Sequence, residues 1–186
     1  MVYDSIIEGL TVKLRSIEES DAEVTYKMRT DPEKTRFVHQ ITGTVEDQRN
    51  YIKRQRTLPG DYLFMVENLK GEPIGMKGVY NHDPVKKTVE TGRFIGYGSQ
   101  VENIEALKLS FDFAFDILGV DKIIMAALEN NKVMLGIQKR FGVEFTHKGR
   151  LEGIAQDVLY SVLTKEAYAI SKVKVQKLIE RFAGRQ

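Results

Sequence analysis

Apolar and polar side chains alternate from Leu10 to Arg15, the period of a half-buried strand. Ser20 and Glu23 have the spacing of a capping box, so a helix is predicted from there to Arg29, where Asp31-Pro32 breaks it. Thr44 precedes a second predicted helix through Tyr51, Ile52 and Gln55. Glu46 and Asp47 suit the positive end of its dipole, and Pro59-Gly60 ends it. Two strands follow, over 62–66 and 74–80, joined by an Asn68–Gly71 turn. After the punctuation of Asn81-His-Asp-Pro84, a further strand is predicted over 88–97. Such short connections make this half of the sheet antiparallel.

The period then changes. Ile104, Leu107, Phe111, Phe115 and Leu118 recur at helical spacing, which predicts an amphipathic helix over 103–118 closed by Gly119. Residues 122–128 are apolar on both faces, as in a central buried strand. A helix over 131–140 presents Val133, Ile137 and Phe141, and strands over 143–146 and 158–163 complete the sheet. Strand–helix–strand–helix order here predicts a crossover and parallel neighbours. The fold class is mixed α+β: a central, mostly antiparallel sheet of about seven strands flanked by helices. Residues 1–165 read as one domain and 166–186 as a basic helical tail. In the tail, Val173, Val175, Leu178, Ile179 and Phe182 form an imperfect apolar face. This predicts a helix packed on the domain or on a second copy of the chain, so a homodimer is a candidate assembly. A membrane-surface or partner helix is the competing reading.

Composition narrows the chemistry. The 186 residues suit one domain with a real core. There is no cysteine, which excludes disulfides, Cys-based zinc sites and a cysteine nucleophile. No metal site is expected. A formal net charge of +2 gives no argument for nucleic acid. No apolar run approaches the roughly 20 residues of a membrane span. Met1–Leu10 carries Asp4 and Glu8 and has no apolar signal core. The expectation is a cytoplasmic protein without a membrane or nucleic-acid partner.

The order of elements, with three local stretches, resembles the GNAT N-acetyltransferase superfamily. Glu90-Thr-Gly-Arg-Phe-Ile95 is similar to the family's fourth strand, and Glu105–Phe115 to the helix after its pyrophosphate loop. Lys122-Ile-Ile, Asn131 and Lys139-Arg-Phe-Gly142 are similar to a "KI…N…K-x-GF" stretch, with Val143 in the final Phe position. The resemblance spans roughly residues 10–165 and implies an acetyl-CoA-dependent N-acetyltransferase. Pantetheine is then expected to pair with backbone near Ile95, Gly96 and Tyr97, in a gap between splayed strands. The pyrophosphate is expected at the loop Gly98, Ser99, Gln100, Val101, Glu102 and Asn103, where Ile104 enters the helix and free N–H groups and the helix dipole favour an anion. Asn131 matches the family residue that holds the pantetheine arm, and it also reads as a helix N-cap.

The sequence departs from the family in the loop, which lacks the paired glycines. Asn103, which tolerates the left-handed region better than most residues, is the expected stand-in. Glu102 would repel a pyrophosphate, so donor binding through another backbone path and weakened or lost binding both stay open. Among candidate bases, Glu90 lies on the fourth strand and His82 follows the third. The family's acidic tyrosine is replaced by Gln138, which leaves Tyr160 as a weaker candidate acid. Tyr26–Arg29, Asp31-Pro32, Thr44–Gln48 and Tyr51-Ile52 resemble amino-sugar N-acetyltransferases, and ribosomal-protein acetyltransferases share much of that layout. Arg29, Arg36 and His39 are accordingly expected to meet a nucleotide-linked amino sugar. The alternatives are a peptide N-terminus as acceptor, or a chain that binds acyl-CoA without turnover.

Overall fold

A computed structural model describes residues 1–38, 41–150 and 156–184. Its strands are β1 (Ile7–Glu8), β2 (Val12–Ser16), β3 (Tyr62–Asn68), β4 (Pro73–Asp83), β5 (Thr88–Gly96), β6 (Lys122–Leu128), β7 (Glu144–Gly149) and β8 (Val158–Thr164). They form one sheet in the order β1-β2-β3-β4-β5-β6-β8-β7. The eighth strand beyond the seven expected is the two-residue β1, folded back on β2. β5 and β6 are parallel and the other neighbours are antiparallel. The expected crossover with parallel neighbours is found at β5 and β6; after the next crossover β6 and β7 also run the same way, but β8 inserts between them, antiparallel to both.

The helices are α1 (Ala22–Thr30), α2 (Pro32–Thr35), α3 (Val45–Gln55), α4 (Gln100–Asp112), α5 (Lys132–Arg140) and α6 (Lys165–Ala183). Local sequence explains several boundaries. Asp31-Pro32 ends α1 and also starts α2: the proline takes the first turn, where no N–H is needed, and the Asp31 side chain accepts from the N–H of Glu33 and Lys34. Thr44 and Asp47 exchange side-chain and backbone bonds as a capping box for α3. The box expected at Ser20 and Glu23 does not form. Asp21 reaches back to the Glu18 N–H at 2.8 Å instead, because it is also held by the Arg15 guanidinium at 2.7 and 2.8 Å. The predicted run to Leu118 continues past α4 as a π-helical turn, Phe113–Ile117, with Leu118 donating to the Phe113 carbonyl. That turn seats Phe113 edge-on to Tyr3, Tyr62 and Phe64 at 5.0–5.1 Å.

The sheet carries a core on each face. Leu63, Met65, Met76 and Ile95 pack with Ala22 and Met28 of α1 and Ile52 of α3. On the other face, Phe64, Val66, Val79, Val89 and Ile123 pack with α4, α5 and α6. The C-terminal helix belongs to this second layer. Its Tyr168, Val175 and Ile179 are buried, and Tyr168 donates to Asp112 Oδ1 at 2.8 Å. Ser171 donates to the Phe141 carbonyl at 2.7 Å.

Candidate active site

β5 and β6 pair only from Thr88–Lys122 to Thr91–Met125. Beyond that register both strands continue, β5 to Gly96 and β6 to Leu128, without pairing to each other. β6 keeps its bonds to β8, so the separation is on the β5 side. The cause lies in β5: Gly92 opposes Gly78 and Ile95 opposes Met76, so Arg93 and Phe94 together face Lys77 in a β-bulge. Arg93 sits at φ 51°, in the left-handed region. Its guanidinium donates to Asp61 at 2.9 and 3.0 Å and to Gln55 at 3.2 Å, and lies 4.1 Å from the centre of the Tyr80 ring. These contacts hold the strained residue and draw β5 towards β4 and α3. Gly78 and Gly92 leave room for these side chains: a Cβ on Gly78 would press on Arg93 at 3.0 Å, and one on Gly92 would meet the Tyr80 hydroxyl at 2.6 Å. A wedge-shaped cleft results, lined among others by Thr91, Gly92, Phe94, Met125, Asn131 and Gln138.

Cross-strand partners share a face, so the register sorts the site into two sides. Lys77 (opposite Phe64) and Thr91 (opposite Val79 and Met125) project towards α4 and α5. Tyr80 and Glu90 oppose each other on the α1–α3 side. On the first side, Thr91 Oγ1 and Gln138 Oε1 are buried without a hydrogen-bond partner, and Gln138 Nε2 makes one weak contact, to Met125 Sδ at 3.9 Å. Unsatisfied buried polar atoms are costly, and two of them in one cleft fit a ligand rich in amide and carbonyl groups. Asn131 caps α5 through Oδ1, bonded to the Met134 N–H at 3.1 Å; its Nδ2 makes no bond among the described residues. Lys77 lines the same cleft. It is 3% exposed, it has no ion pair or hydrogen bond among the described residues, and burial lowers its pKa to about 7.

At the N-terminus of α4 most of the expected loop is the helix's own first turn, which begins at Gln100. Ser99 is the N-cap, and the Glu102 carboxylate folds back to accept the Ser99 N–H at 2.7 Å, while Ser99 Oγ accepts from the Glu102 N–H. Asn103 does not stand in for glycine in the left-handed region. It lies within α4, bonded to the Ser99 carbonyl, and its Nδ2 donates to the Gly98 carbonyl at 2.8 Å. Its Oδ1 sits against Gly96, where a Cβ would collide with it. The Tyr97 N–H is taken by the Ile74 carbonyl, and Gly96 and Ile95 pair with β4. Gln100 and Val101 N–H groups are left pointing from the helix end, beside a recess lined by Thr11, Ser99, Arg140 and Leu178. Ile104 is buried in the core and lines that recess. Removing the charge of Glu102 while keeping its shape should therefore favour an anion there. Glu102→Gln is expected to tighten CoA binding about two- to fivefold, a helix-end charge being worth about 0.3–1 kcal/mol. Titration calorimetry of CoA against both chains checks this, and weaker binding by the variant would reverse the sign.

On the α1–α3 side, Glu90 is half-buried and accepts from Asn81 Nδ2 at 3.0 Å. Burial, then nearby Glu90, raises the Tyr80 hydroxyl above its usual pKa. Arg29 lies 5.2 Å from the centre of the Tyr51 ring and borders a recess lined by Thr42, Thr44, Gln48 and Tyr51. It has no carboxylate partner among the described residues; burial lowers its pKa, Tyr51 opposes that shift, and Arg93 adds to it. Arg36 is exposed and stacks over Phe37 at 4.3 Å. His39 lies outside the described residues.

Two sequence-predicted residues fall away from the cleft. The wedge opens where β5 pairs with Gly75–Gly78 of β4, whereas His82 lies at the other end of β4, against the Gly60 turn. Its Nε2 is buried there without a partner. Tyr160 stacks on His147 at 4.5 Å and does not line the cleft. Sequence reasoning missed Lys77, Thr91 and Arg140. The signal for Lys77 was there to see: a lysine inside the apolar run Ile74-Gly-Met-Lys-Gly-Val79 has little chance of reaching water.

A parallel pair that parts beside a bulge, with unsatisfied polar groups in the gap and a helix N-terminus beside a second recess, suits a thioester donor. Residues 11–144 match the family model described as "Acetyltransferase (GNAT) domain", and the chain belongs to that family. It is an N-acetyltransferase that uses acetyl-CoA and acts on amines. Similar solved structures include a GCN5-related N-acetyltransferase from Brucella melitensis, with TM-score 0.81, 16% identity, and coverage of 95% of this chain and 86% of that one. A nucleotide-linked sugar GNAT, apo FdhC, has TM-score 0.80 and 19% identity over 92% and 97% of the two chains. Spermidine N-acetyltransferase from Vibrio cholerae, solved with CoA and spermine, has TM-score 0.77 and 14% identity over 85% and 98%. At these identities the likeness is one of fold. No curated protein sequence matches the chain. Among the described residues, no group of three or more His, Asp or Glu side chains is placed to hold a metal ion, and no helix is long and apolar enough to cross a membrane.

Proposed function

We propose that this enzyme acetylates the amine of a nucleotide-linked amino sugar. The observation that carries this reading is Arg29: a half-buried guanidinium on the acceptor side, stacked beside Tyr51, with no carboxylate to neutralise it among the described residues. A half-buried cation with no carboxylate beside it among the described residues favours an acceptor that brings an anion, and a diphosphate meets guanidinium well. A polyamine would place positive charge against it. The similarity to a nucleotide-linked sugar GNAT supports the same reading, since what that protein acts on is consistent with an anionic acceptor.

Acetyl-CoA supplies the acetyl group as an activated thioester. The residues that would hold it are Thr91, Gln138 and Asn131 along the wedge, with the N–H groups of Gln100 and Val101 and the Arg140 side chain at the phosphates. Glu90, on the acceptor side one residue before the last β5–β6 pair, would take the proton from the attacking amine. Gln138 cannot act as an acid, so the departing sulfur would take its proton from water or the acceptor nitrogen.

The test is thiol release from acetyl-CoA with a panel of nucleoside-diphosphate amino sugars, spermidine and peptide N-termini. Turnover confined to the nucleotide-linked amines is expected; preference for spermidine would overturn the acceptor assignment. Binding of CoA with no turnover across the panel would favour an acyl-CoA-holding role, to which Glu102 and Gln138 lend support. Arg29→Ala is expected to raise KM for the nucleotide-linked acceptor about ten- to hundredfold, as a charge-assisted bond is worth roughly 1.5–3 kcal/mol, with little change in KM for acetyl-CoA.

A further inference from the structure

Three side chains on the donor side of the wedge, Thr91, Gln138 and Lys77, have polar atoms that make no hydrogen bond among the described residues. Thr91 and Gln138 are neutral and suit the amides of a pantetheine arm. Lys77 has a different chemistry. It stands on β4 directly opposite the bulge that opens the cleft. It is 3% exposed, and its Nζ lies 5.9 Å from the centre of the Phe94 ring. No carboxylate among the described residues pairs with it, so nothing there holds the extra proton. Desolvation is the sole cause of its lowered pKa, and at about 7 much of the amine is neutral at physiological pH.

A neutral primary amine in a cleft that receives a thioester is a nucleophile on the wrong side of the sheet. Acceptors are proposed to arrive on the α1–α3 face with Glu90, whereas Lys77 projects from the α4–α5 face. We propose that Lys77 is a self-acetylation site, modified by the acetyl-CoA bound in its own wedge. This rests on the placement of the thioester arm between β5 and β6 argued above. The Lys77 Nζ lone pair attacks the thioester carbonyl carbon; the C–N bond forms and the C–S bond breaks. The sulfur leaves as thiolate and takes the proton released by the nitrogen, giving Nε-acetyl-lysine and free CoA, with no other reactant. An amide does not pass its acyl group on to a second amine as a thioester does, so acetyl-Lys77 is a lasting modification and not an intermediate. It would occupy part of the donor cleft and remove the nucleophile, which makes it a brake on the enzyme when acceptor is scarce.

The experiment uses the full chain, acetyl-CoA carrying a labelled acetyl group, and no added amine, followed by peptide mapping in a mass spectrometer. A single labelled acetyl group on Lys77 is expected, appearing about a hundredfold faster than on exposed Lys70 and Lys86, because most of an ordinary lysine is protonated at neutral pH. The rate at Lys77 should level off above a pH of about 7. Excess unlabelled CoA should suppress labelling at Lys77 and leave the others unchanged. Binding of CoA is measured in parallel by calorimetry. If CoA binds and Lys77 is labelled no faster than Lys70, the self-acetylation proposal is wrong and the donor site stands. If CoA does not bind, the donor site falls and this proposal with it.

Discussion

Replacing Glu90 by glutamine is expected to lower kcat for amine acetylation by about 10²–10⁴-fold, the range a positioned general base contributes. The substitution keeps an oxygen that can accept from Asn81 Nδ2, so the contact that orients the side chain survives while its proton affinity does not. KM for acetyl-CoA should hardly move, because Glu90 projects to the α1–α3 side and the proposed donor groups line the other. Retention of wild-type kcat would remove Glu90 from the mechanism. His82→Gln serves as the contrast: from its place at the Gly60 end of β4, it should leave kcat close to wild type.

The sequence was informative wherever structure is set by near neighbours. Asp31-Pro32 and Thr44–Asp47 announce helix starts because the bonds that make them are local. The alternation in 10–15 and the helical repeat from Ile104 to Leu118 announce which face is buried, because the core is large enough to enforce both. What could not be read are features decided across the chain. Ser20 has the spacing of a cap, yet Arg15, on another element, recruits Asp21 and moves the cap to Glu18. The crossover after β6 predicts direction but not adjacency, and β8 takes the place beside β6. The bulge that opens the wedge depends on Arg93 finding Asp61 and Gln55, more than thirty residues away in sequence. Hence Glu90 and Asn131 could be singled out from their strand and helix, whereas the unused polar atoms of Lys77, Thr91 and Gln138 only appear once β5 has moved aside.

Glu105 is a second place where fold and site meet, and its removal should be the most damaging change to stability. The side chain is 1% exposed, on the second turn of α4. Its carboxylate accepts the Leu10 N–H at 2.7 Å, the Thr11 N–H at 2.6 Å and the Thr11 hydroxyl at 2.5 Å. These donors lie in the turn between β1 and β2, which Gly9 lets approach so closely that a Cβ on Gly9 would stand 2.7 Å from the carboxylate. Glu105→Ala leaves the buried Thr11 donors without an acceptor and opens a void. A loss of about 3–5 kcal/mol is expected, by the cost of stranding buried groups that had bonded a charge. For a chain of this size that is a fall in melting temperature of roughly 10 °C. Glu105→Gln should fall between the two, since one amide oxygen can still accept while the amide nitrogen confronts a donor. Thr11 also lines the recess beside Ser99, Gln100 and Val101, so the same bonds hold one wall of the proposed phosphate site against the helix end. The alanine variant, measured well below its melting point, should therefore bind CoA more weakly as well. Thermal unfolding within about 2 °C of wild type would show that the β1–β2 turn finds other acceptors, and that α4 is fixed by its apolar face alone.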